Sequence, residues 1–469
     1  MFVCKRTWKI RFLLLITSSF FTFYGFGESN ITSIITKILP KSKSTTSSQA
    51  KKDAVPRYNT IEQMQALGDL NDVKTFSEEG SDILFFANVI IKKHQDFDFL
   101  VDFMTFCDEC TKSIQLMDEL AFSDASKEDR LTALYFELCK LTAMLNDQHT
   151  FVKPPQTVIN NYMVYPINLT TIEKKLIITA IGSMYENNVG EEVIEINGYP
   201  IGQVHKAMKT IISSSTEVYS VRQGDYQLNI QQALDAAGIG SKDGYLVIKL
   251  ANGHSMKLEP VSYKVFKSLY YNVLRENVPK TIYSGTWYEA WDLSQDCLFV
   301  KYNVSENDAN YKVSQFITDL FYAYDANNFS TMIIDFRSNQ GGDAELLEPF
   351  IKKLEKYISE EKCSAYVLIG PDTFSYAVSN VLDLKKIGCM LVGTPTGGAT
   401  NYYGSIKTFE LPNTHIVVGC ATRYHFKDKN AISKSLSPDV FIDFSIDDYI
   451  LGNDPQVNWV LTNVSSITR

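Results

Sequence analysis

The sequence predicts an α/β protein, α+β multidomain in organisation, with a helical N-terminal region, a small β-rich module and a core with a βαβαβ parallel sheet. Three observations predict it: leucines recur at spacings of three and four near 131–145, Val-, Ile- and Tyr-rich runs alternate with turns over 160–265, and strands alternate with helices over 295–400. The chain has 469 residues and is 45% hydrophobic, which suits about three domains of roughly 150 residues. This composition excludes a disordered or coiled-coil protein.

The charge balance restricts the partners. The chain has 45 basic and 54 acidic residues, a formal charge of −9. Residues 1–27 hold four basic residues and no acidic one, so the rest of the chain has 41 basic residues and a charge of −13. An acidic chain without a basic stripe argues against nucleic acid as a partner, because phosphate binding needs clustered Lys and Arg.

Residues 1–27 predict a secretory signal peptide, and with it a secreted or extracytoplasmic location. A basic stretch precedes the apolar run 12–27, which ends in the small-x-small pattern Gly25-Phe26-Gly27. The alternative is a membrane anchor, but a span needs about 20 apolar residues, and this run is shorter and interrupted by Ser and Thr. No later segment is long and apolar enough, so no stable span is expected after cleavage. Residues 28–58, rich in Ser, Thr and Lys, predict a flexible linker.

Cysteine usage gives little support for a disulfide scaffold or a metal site. Seven cysteines follow the signal peptide, which is sparse and odd in number. Cys107 and Cys110 have the spacing of a redox or zinc half-site, but no second pair completes a ligand set. We therefore predict no metal and no cofactor.

The helical N-terminal region is predicted over 59–155. Ser126 is a capping serine before acidic residues, and the leucines that follow give one apolar face. The helix is expected to stop near Asn146-Asp147, which places Gln148-His149-Thr150 in a loop at its C-terminal end.

The β-rich module is predicted over 156–270 and the α/β core over 271–469. In the module, the runs Tyr245–Leu250 and Met256–Val261 flank Asn252-Gly253, a hairpin signature. In the core, the order of elements implies parallel strands with right-handed crossovers. The expected elements are the strands Thr331–Phe336, Ala365–Ile369 and Met390–Gly393 and the helices Ala344–Ser359 and Ser375–Lys386.

Chemistry in such sheets gathers at the carboxyl ends of the strands, where Ser375 and Gly341-Gly342 fall. A hydroxyl in the first turn of a helix is near its positive end, which favours an oxyanion, although its position alone favours an ordinary helix-capping role for Ser375. Paired glycines leave backbone N–H groups open to a ligand, or simply make a tight turn. Of the six histidines, only His149 lies on a loop directly after a well-marked helix and beside an acid.

These pieces together resemble a known family. The chain resembles the tail-specific (C-terminal processing) serine peptidases, nearer their tricorn-core and interphotoreceptor retinoid-binding protein side. The motifs that carry the resemblance, in order, are Asn146-Asp147-Gln148-His149-Thr150, Glu195-Ile196-Asn197-Gly198, Ile334-Asp335-Phe336-Arg337-Ser338-Asn339-Gln340-Gly341-Gly342, Thr373-Phe374-Ser375, Val392-Gly393-Thr394-Pro395-Thr396-Gly397-Gly398 and Ser437-Pro438-Asp439-Val440.

The resemblance implies a crotonase-like catalytic core, a PDZ-like module and a peptide or protein substrate. It makes Ser375 the nucleophile and assigns an oxyanion hole to the N–H groups of Gly341 or Gly342 and of Tyr376. Bacterial members use a lysine as the base, but the corresponding segment, 396–400, has none. The tricorn-like Asp-x-His-Thr motif maps to His149, so the resemblance favours Ser–His. We interpret Asp335 and Arg337 as a structural ion pair that shapes the glycine turn.

The third member of a triad is less well marked. Related triads use a glutamate near the final Pro-Asp motif, where this chain has Ser437. Members of the family often have an acid directly after Val-Gly, and this chain has Thr394 there. Asp439, Asp428 and Asp147 remain as candidates to orient the base, with Asp439 taken first. The sequence thus predicts a secreted serine endopeptidase. The alternatives are a catalytically weak or inactive peptide- or lipid-binding protein on the same scaffold, or an esterase with the same residues.

Overall fold

The structure is a computed structural model, and it describes residues 76–467 apart from 275–277, 283–285 and 429–433. The predicted signal peptide (1–27), the linker (28–58) and the start of the helical region therefore lie outside the described residues. Among the described residues, no helix combines the length and the apolar character needed to cross a bilayer.

The helical region follows the pattern that its sequence predicts. Ser126 caps its helix by accepting from Asp129 N–H at 3.1 Å, and the helix ends at Ala143, three residues before Asn146. Leu134, Leu138 and Leu141 are buried. The elements are the helices Glu78–Lys93, Phe97–Leu100, Phe103–Ala121, Lys127–Ala143 and Gln156–Asn161 and the strand Phe151–Lys153.

The β-rich module is a seven-stranded antiparallel sheet with short helices. The predicted hairpin is confirmed, since Leu246–Leu250 pairs antiparallel with Ser255–Leu258 across the Asn252-Gly253 turn. The strands are Ile167–Ile172, Lys175–Gly182, Glu192–Ile196, Tyr199–Pro200, Leu246–Leu250, Ser255–Leu258 and Tyr271–Val273. The larger helices are Ile201–Met208, Glu217–Asp225 and Gln231–Ala236.

The core is a six-stranded sheet with helices on both faces. Five neighbouring strands are parallel, and the first strand is antiparallel to the second, which confirms the predicted βαβαβ unit. In spatial order the strands are Tyr288–Ser294, Cys297–Tyr302, Thr331–Asp335, Ser364–Ile369, Met390–Gly393 and Val440–Phe441. Val313–Ala326, Glu348–Ser359 and Tyr376–Lys386 pack on one face, and Pro455–Ile467 packs on the other.

A C-terminal segment joins the core to the helical region. Val417–Cys420 pairs with both Phe151–Lys153 and Lys407–Glu410, and its buried side chains share one hydrophobic core with the helical region and the module. The carboxylate of Asp82 accepts from the backbone N–H groups of Asn413 and Thr414 (3.1 and 2.8 Å). The boundaries at 155/156 and 270/271 stay predictions, although the sheet of the module includes Tyr271–Val273, which pairs with Lys175–Gly182.

The predicted ion pair of Asp335 and Arg337 is part of a buried charge network. Asp335 Oδ2 lies 2.8 Å from both Arg337 Nη2 and Lys301 Nζ, and Asp335 and Lys301 are 0% and 1% exposed. Burial alone would raise the pKa of Asp335, but the two cations outweigh it and lower the pKa to about 2. Arg337 also binds Asp454 at 2.9 Å. These residues fix the end of the strand that leads into the glycine turn.

The seven described cysteines are free thiols and all are buried. Burial raises the pKa of Cys107 to about 12 and that of Cys110 well above its usual value, so both thiols stay protonated. Among the described residues, no three His, Cys, Asp or Glu side chains are grouped as ligands for a metal ion.

Candidate active site

Ser375 occupies a sharp turn directly before the helix Tyr376–Lys386. Its backbone has φ +56° and ψ −131°, and a positive φ of this kind costs a non-glycine residue about 1–3 kcal/mol and is found mostly at functional sites. The residue is half-buried, so its hydroxyl is reachable from solvent. It lies at the positive end of the helix dipole, where negative charge is stabilised.

Neighbouring backbone holds this turn on two sides. Phe374 N–H donates to the Asn339 carbonyl (3.0 Å), and Gly398 N–H donates to the Thr373 carbonyl (2.9 Å). A Cβ on Gly341 would lie 2.8 Å from the Ser375 Cβ, and Gly341 has φ +100°, so only glycine fits there. The glycine turn therefore lies in contact with the serine.

His149 is brought to Ser375 by the turn that follows the helix Lys127–Ala143. Its Nε2 lies 2.9 Å from Ser375 Oγ, and the residue is 3% exposed. The Asp147 carboxylate shapes this turn by accepting from the His149 backbone N–H (2.9 Å) and from the Thr150 hydroxyl (2.6 Å). The two residues that the sequence selected are thus within hydrogen-bond distance.

The surroundings of His149 keep its imidazole neutral. Burial lowers its pKa to about 4, with Asp147 acting in the opposite direction and His425 adding to the decrease. A neutral ring near pH 7 can accept a proton from a hydroxyl at Nε2, which is the requirement for a general base.

The backbone donors around the serine are not equivalent. Gly341 N–H donates to Asn339 Oδ1 at 2.8 Å, so of the two predicted glycine donors Gly342 is the one whose N–H is not already bound to a side chain. The N–H groups of Gly342 and Tyr376 form no hydrogen bond with any described residue. Beside this turn a cleft of about 360 Å³ is lined by Asn303, Val304, Glu306, Ser338, Gln340, Gly341 and Gly342.

Asp439 does not orient the base. Its carboxylate binds Lys385 Nζ at 2.6 Å and Leu391 N–H at 2.9 Å. Lys385 lies in the last turn of the helix that Ser375 precedes, so at 1.5 Å per residue Asp439 is roughly 15 Å away along that helix. The prediction placed Asp439 near the base only by its motif, and strand pairing puts it at the far end.

Neither of the other two candidate acids forms a hydrogen bond with His149 Nδ1. Asp147 Oδ2 lies 3.2 Å from His94 Nε2, and the His94 ring is fully buried. Asp428 is held by its backbone, whose N–H donates to Asn401 Oδ1 at 2.8 Å. Among the described residues, nothing forms a hydrogen bond with His149 Nδ1, which is itself buried.

Comparison with solved structures identifies the same architecture elsewhere. The chain matches mature CPAF at 14% identity with a TM-score of 0.55, over 82% of this chain and 96% of that one. A complex of mature CPAF with lactacystin matches at 13% identity and a TM-score of 0.54, over 83% and 98%. A serine-to-alanine mutant of CPAF matches at 12% identity and a TM-score of 0.52, over 80% and 94%. This chain has the CPAF fold.

CPAF is a member of the tail-specific S41 peptidase family, so the resemblance that the motifs predict is confirmed at the level of the fold. The predicted mixed α/β, multidomain organisation is confirmed with it. No protein-family model matches the sequence, and no curated protein matches it either. The likeness lies in the three-dimensional arrangement, and the CPAF fold brings together motifs that are far apart in this chain.

Two residues that hold the site were not singled out from the sequence. Asn339 binds both turns at once: its side chain accepts from Gly341 N–H, and its carbonyl accepts from Phe374 N–H. A Cβ on Gly398 would lie 3.0 Å from Ser375 N. In the sequence, only the position of Asn339 and Gly398 within the two glycine motifs points to them. That position does not show whether a residue binds a ligand or packs against a neighbouring turn.

Proposed function

We propose that this protein is a secreted serine endopeptidase in which Ser375 is the nucleophile and His149 the general base. The observation that carries the proposal is the 2.9 Å contact between His149 Nε2 and Ser375 Oγ, made by a neutral, buried imidazole and a serine on a strained turn. A serine beside a neutral base is the arrangement that activates a hydroxyl for acyl transfer. Secretion rests on residues 1–27 of the sequence.

The reaction follows from these positions. Ser375 Oγ attacks the peptide carbonyl carbon while its proton passes to His149 Nε2, and the carbonyl oxygen becomes an oxyanion. The N–H groups of Gly342 and Tyr376 stabilise that oxyanion at the positive end of the helix. The protonated His149 then gives its proton to the leaving amine, and an acyl-enzyme remains. Water, deprotonated by His149, hydrolyses the ester and frees Ser375.

The proposal extends to the core and the β-rich module of the chain. We describe 271–469 as a crotonase-like core because Ser375 and the glycine turn both follow strands of its parallel sheet and meet at the carboxyl ends of those strands. We describe 156–270 as a PDZ-like module, where an extended peptide or a chain end would be bound by strand addition. The cleft beside Gly342 leaves room for substrate side chains next to the reacting bond.

A second candidate is a binding protein on the same scaffold with little or no turnover. The absence of an acid at His149 Nδ1 among the described residues favours it, since an orienting acid usually raises the rate of a serine hydrolase. An esterase would use the same Ser375 and His149, and substrate tests separate it from a peptidase.

Covalent labelling of Ser375 tests the proposal. The mature protein is treated with a fluorophosphonate probe and its hydrolysis of casein and of a short ester is measured. We expect labelling in the wild type and none in Ser375→Ala, because the probe reacts with activated serines. Ser359→Ala, an exposed serine on a helix, is the matched control and should label fully. Absence of labelling together with no hydrolysis would favour the binding protein, and cleavage of the ester alone would favour the esterase.

The pH dependence of the reaction tests the base. His149 has a pKa lowered to about 4 by burial, against an ordinary value of about 6.5. The active neutral form therefore persists as pH falls, and kcat/KM should stay level to about pH 5 and decline only near pH 4. A decline centred near pH 6.5 in a pH profile of kcat/KM would contradict a buried His149 base.

A further inference from the structure

Five rings are stacked in one column that contains the His149 imidazole. Neighbouring ring centroids are 4.8–5.2 Å apart and the planes are tilted by 15–23°. In order, the rings of this aromatic column are Tyr219, Phe374, His149, Tyr402 and His425. Phe374 and Tyr402 therefore cover the two faces of the imidazole.

The column is assembled from separate parts of the chain, each fixed independently. Tyr219 lies on the module helix Glu217–Asp225, and Phe374 is next to Ser375. Tyr402 and His425 are paired residues of two antiparallel strands, so their stacking is set by strand register. Tyr402 is 4% exposed, and its hydroxyl lies 3.3 Å from Ser379 Oγ.

The hydrogen bond that orients the base in a full triad is not formed among the described residues. When Nε2 faces the serine hydroxyl as an acceptor, the imidazole proton is on Nδ1, where an acid orients the ring in a full triad. Here Nδ1 is buried and has no partner among the described residues. The nearby Asp147 carboxylate instead binds Thr150 and the His149 backbone, which fixes the turn but gives the ring no hydrogen bond that sets its orientation.

We infer that Phe374 and Tyr402 are positioning residues that hold the His149 ring against Ser375, in place of an orienting acid. The inference rests on the proposed function for its catalytic consequence. Rotation of the ring about its Cβ–Cγ bond would force it into the neighbouring aromatic planes, so stacking fixes the plane of the ring, and within that plane the contact with Ser375 Oγ selects the Nε2 edge. Tyr219 and His425 support the two clamping rings from outside.

The column also keeps water away from the base. The titratable groups next to His149 are Asp147 from its own turn, Ser375, and Tyr402 from the paired strands, and His425 lies beyond Tyr402 in the column. Burial is the largest cause of the lowered pKa of His149. Loss of one covering ring should therefore admit water and move this pKa upward, which a purely structural role for Tyr402 would not do.

The test compares Tyr402→Leu with Tyr402→Phe. Tyr402→Phe keeps the ring and should act like the wild type. Tyr402→Leu should lower kcat/KM by about 100-fold, the cost of a small misplacement of a catalytic group, and should raise the acid limb of the pH profile from near 4 towards 6.5. Histidine labelled with ¹³C gives the His149 pKa directly by NMR, with His149→Gln identifying the signal.

The outcomes distinguish the positioning role of Phe374 and Tyr402, here called the clamp, from the proposed function. Equal activity and an equal His149 pKa in Tyr402→Leu and Tyr402→Phe would overturn the clamp. If the fluorophosphonate probe does not label the wild type, the proposed function fails. The NMR titration still decides whether the Tyr402 ring covers His149. Should Tyr402→Leu not fold, Tyr219→Leu against Tyr219→Phe replaces it. The clamp then requires that the pKa of His149 rises in Tyr219→Leu, by less than expected for Tyr402→Leu, and does not rise in Tyr219→Phe. An equal His149 pKa in Tyr219→Leu and Tyr219→Phe would overturn the clamp.

Discussion

Replacing His149 by glutamine is expected to lower kcat by roughly 10⁴- to 10⁶-fold, the loss seen when one member of a concerted serine–histidine unit is removed. Glutamine retains a polar side chain of similar size but cannot take the proton from Ser375 at neutral pH. The measurement is peptide hydrolysis under saturating substrate, with circular dichroism to show that the variant is folded.

The matched control for this change is His254→Gln. His254 is exposed, on the hairpin turn of the module, and its replacement should leave kcat unchanged. A loss of less than about tenfold in a folded His149→Gln would mean that another group acts as base, since general base catalysis by itself contributes about 10²–10⁴-fold.

Replacing Asp335 by alanine is expected to lower the free energy of unfolding by about 3–5 kcal/mol, because it leaves the buried Lys301 without its counter-charge, while Arg337 keeps its ion pair with Asp454. Lys301 is 1% exposed, and among the described residues it would keep only the carbonyls of Thr281 and Ile282 as partners. Urea unfolding at pH 7 measures the difference.

The control for Asp335→Ala is Asp243→Ala, which removes an ion pair with Lys257 whose side chains are about half exposed. Such surface pairs contribute only about 0–1 kcal/mol. A loss in Asp335→Ala no larger than in this control would contradict a structural role for the network.

The pKa of Asp335 is lowered to about 2, below its unfolded value. Its contribution is therefore present above about pH 4 and is lost as pH falls towards 2.

Local patterns predicted much of the fold because they reflect short-range physics. The capping serine Ser126, the leucine periodicity after it and the Asn252-Gly253 turn each act within a few residues, and the structure follows them. The βαβαβ order was equally predictable, since buried strands read as apolar runs. Ser375 and His149 could be selected because each follows a well-marked element.

What the sequence could not predict depends on long-range pairing. Tyr402 stacks on His149 because its strand pairs with Arg423–His425, and no local pattern encodes that register. Asp439 was misplaced for the same reason, since its distance from the base is set by the pairing of Val440–Phe441 with Met390–Gly393. The spacing of the glycine motif does not show which of the two N–H groups, that of Gly341 or that of Gly342, is open to an oxyanion. The structure shows the difference, because Asn339 Oδ1 accepts from Gly341 N–H.

The pairing of Phe151–Lys153 with Val417–Cys420 has a consequence for the order of events during synthesis. The Thr150 hydroxyl, beside the base, accepts from Ala421 N–H, a residue 271 positions later in the chain. The surroundings of His149 are therefore incomplete until the ribosome has made almost all of the described chain, and the closure of so long a loop is slow. A chain truncated before Val417 would contain both His149 and Ser375 but would lack the strand and the Ala421 N–H that complete the surroundings of His149.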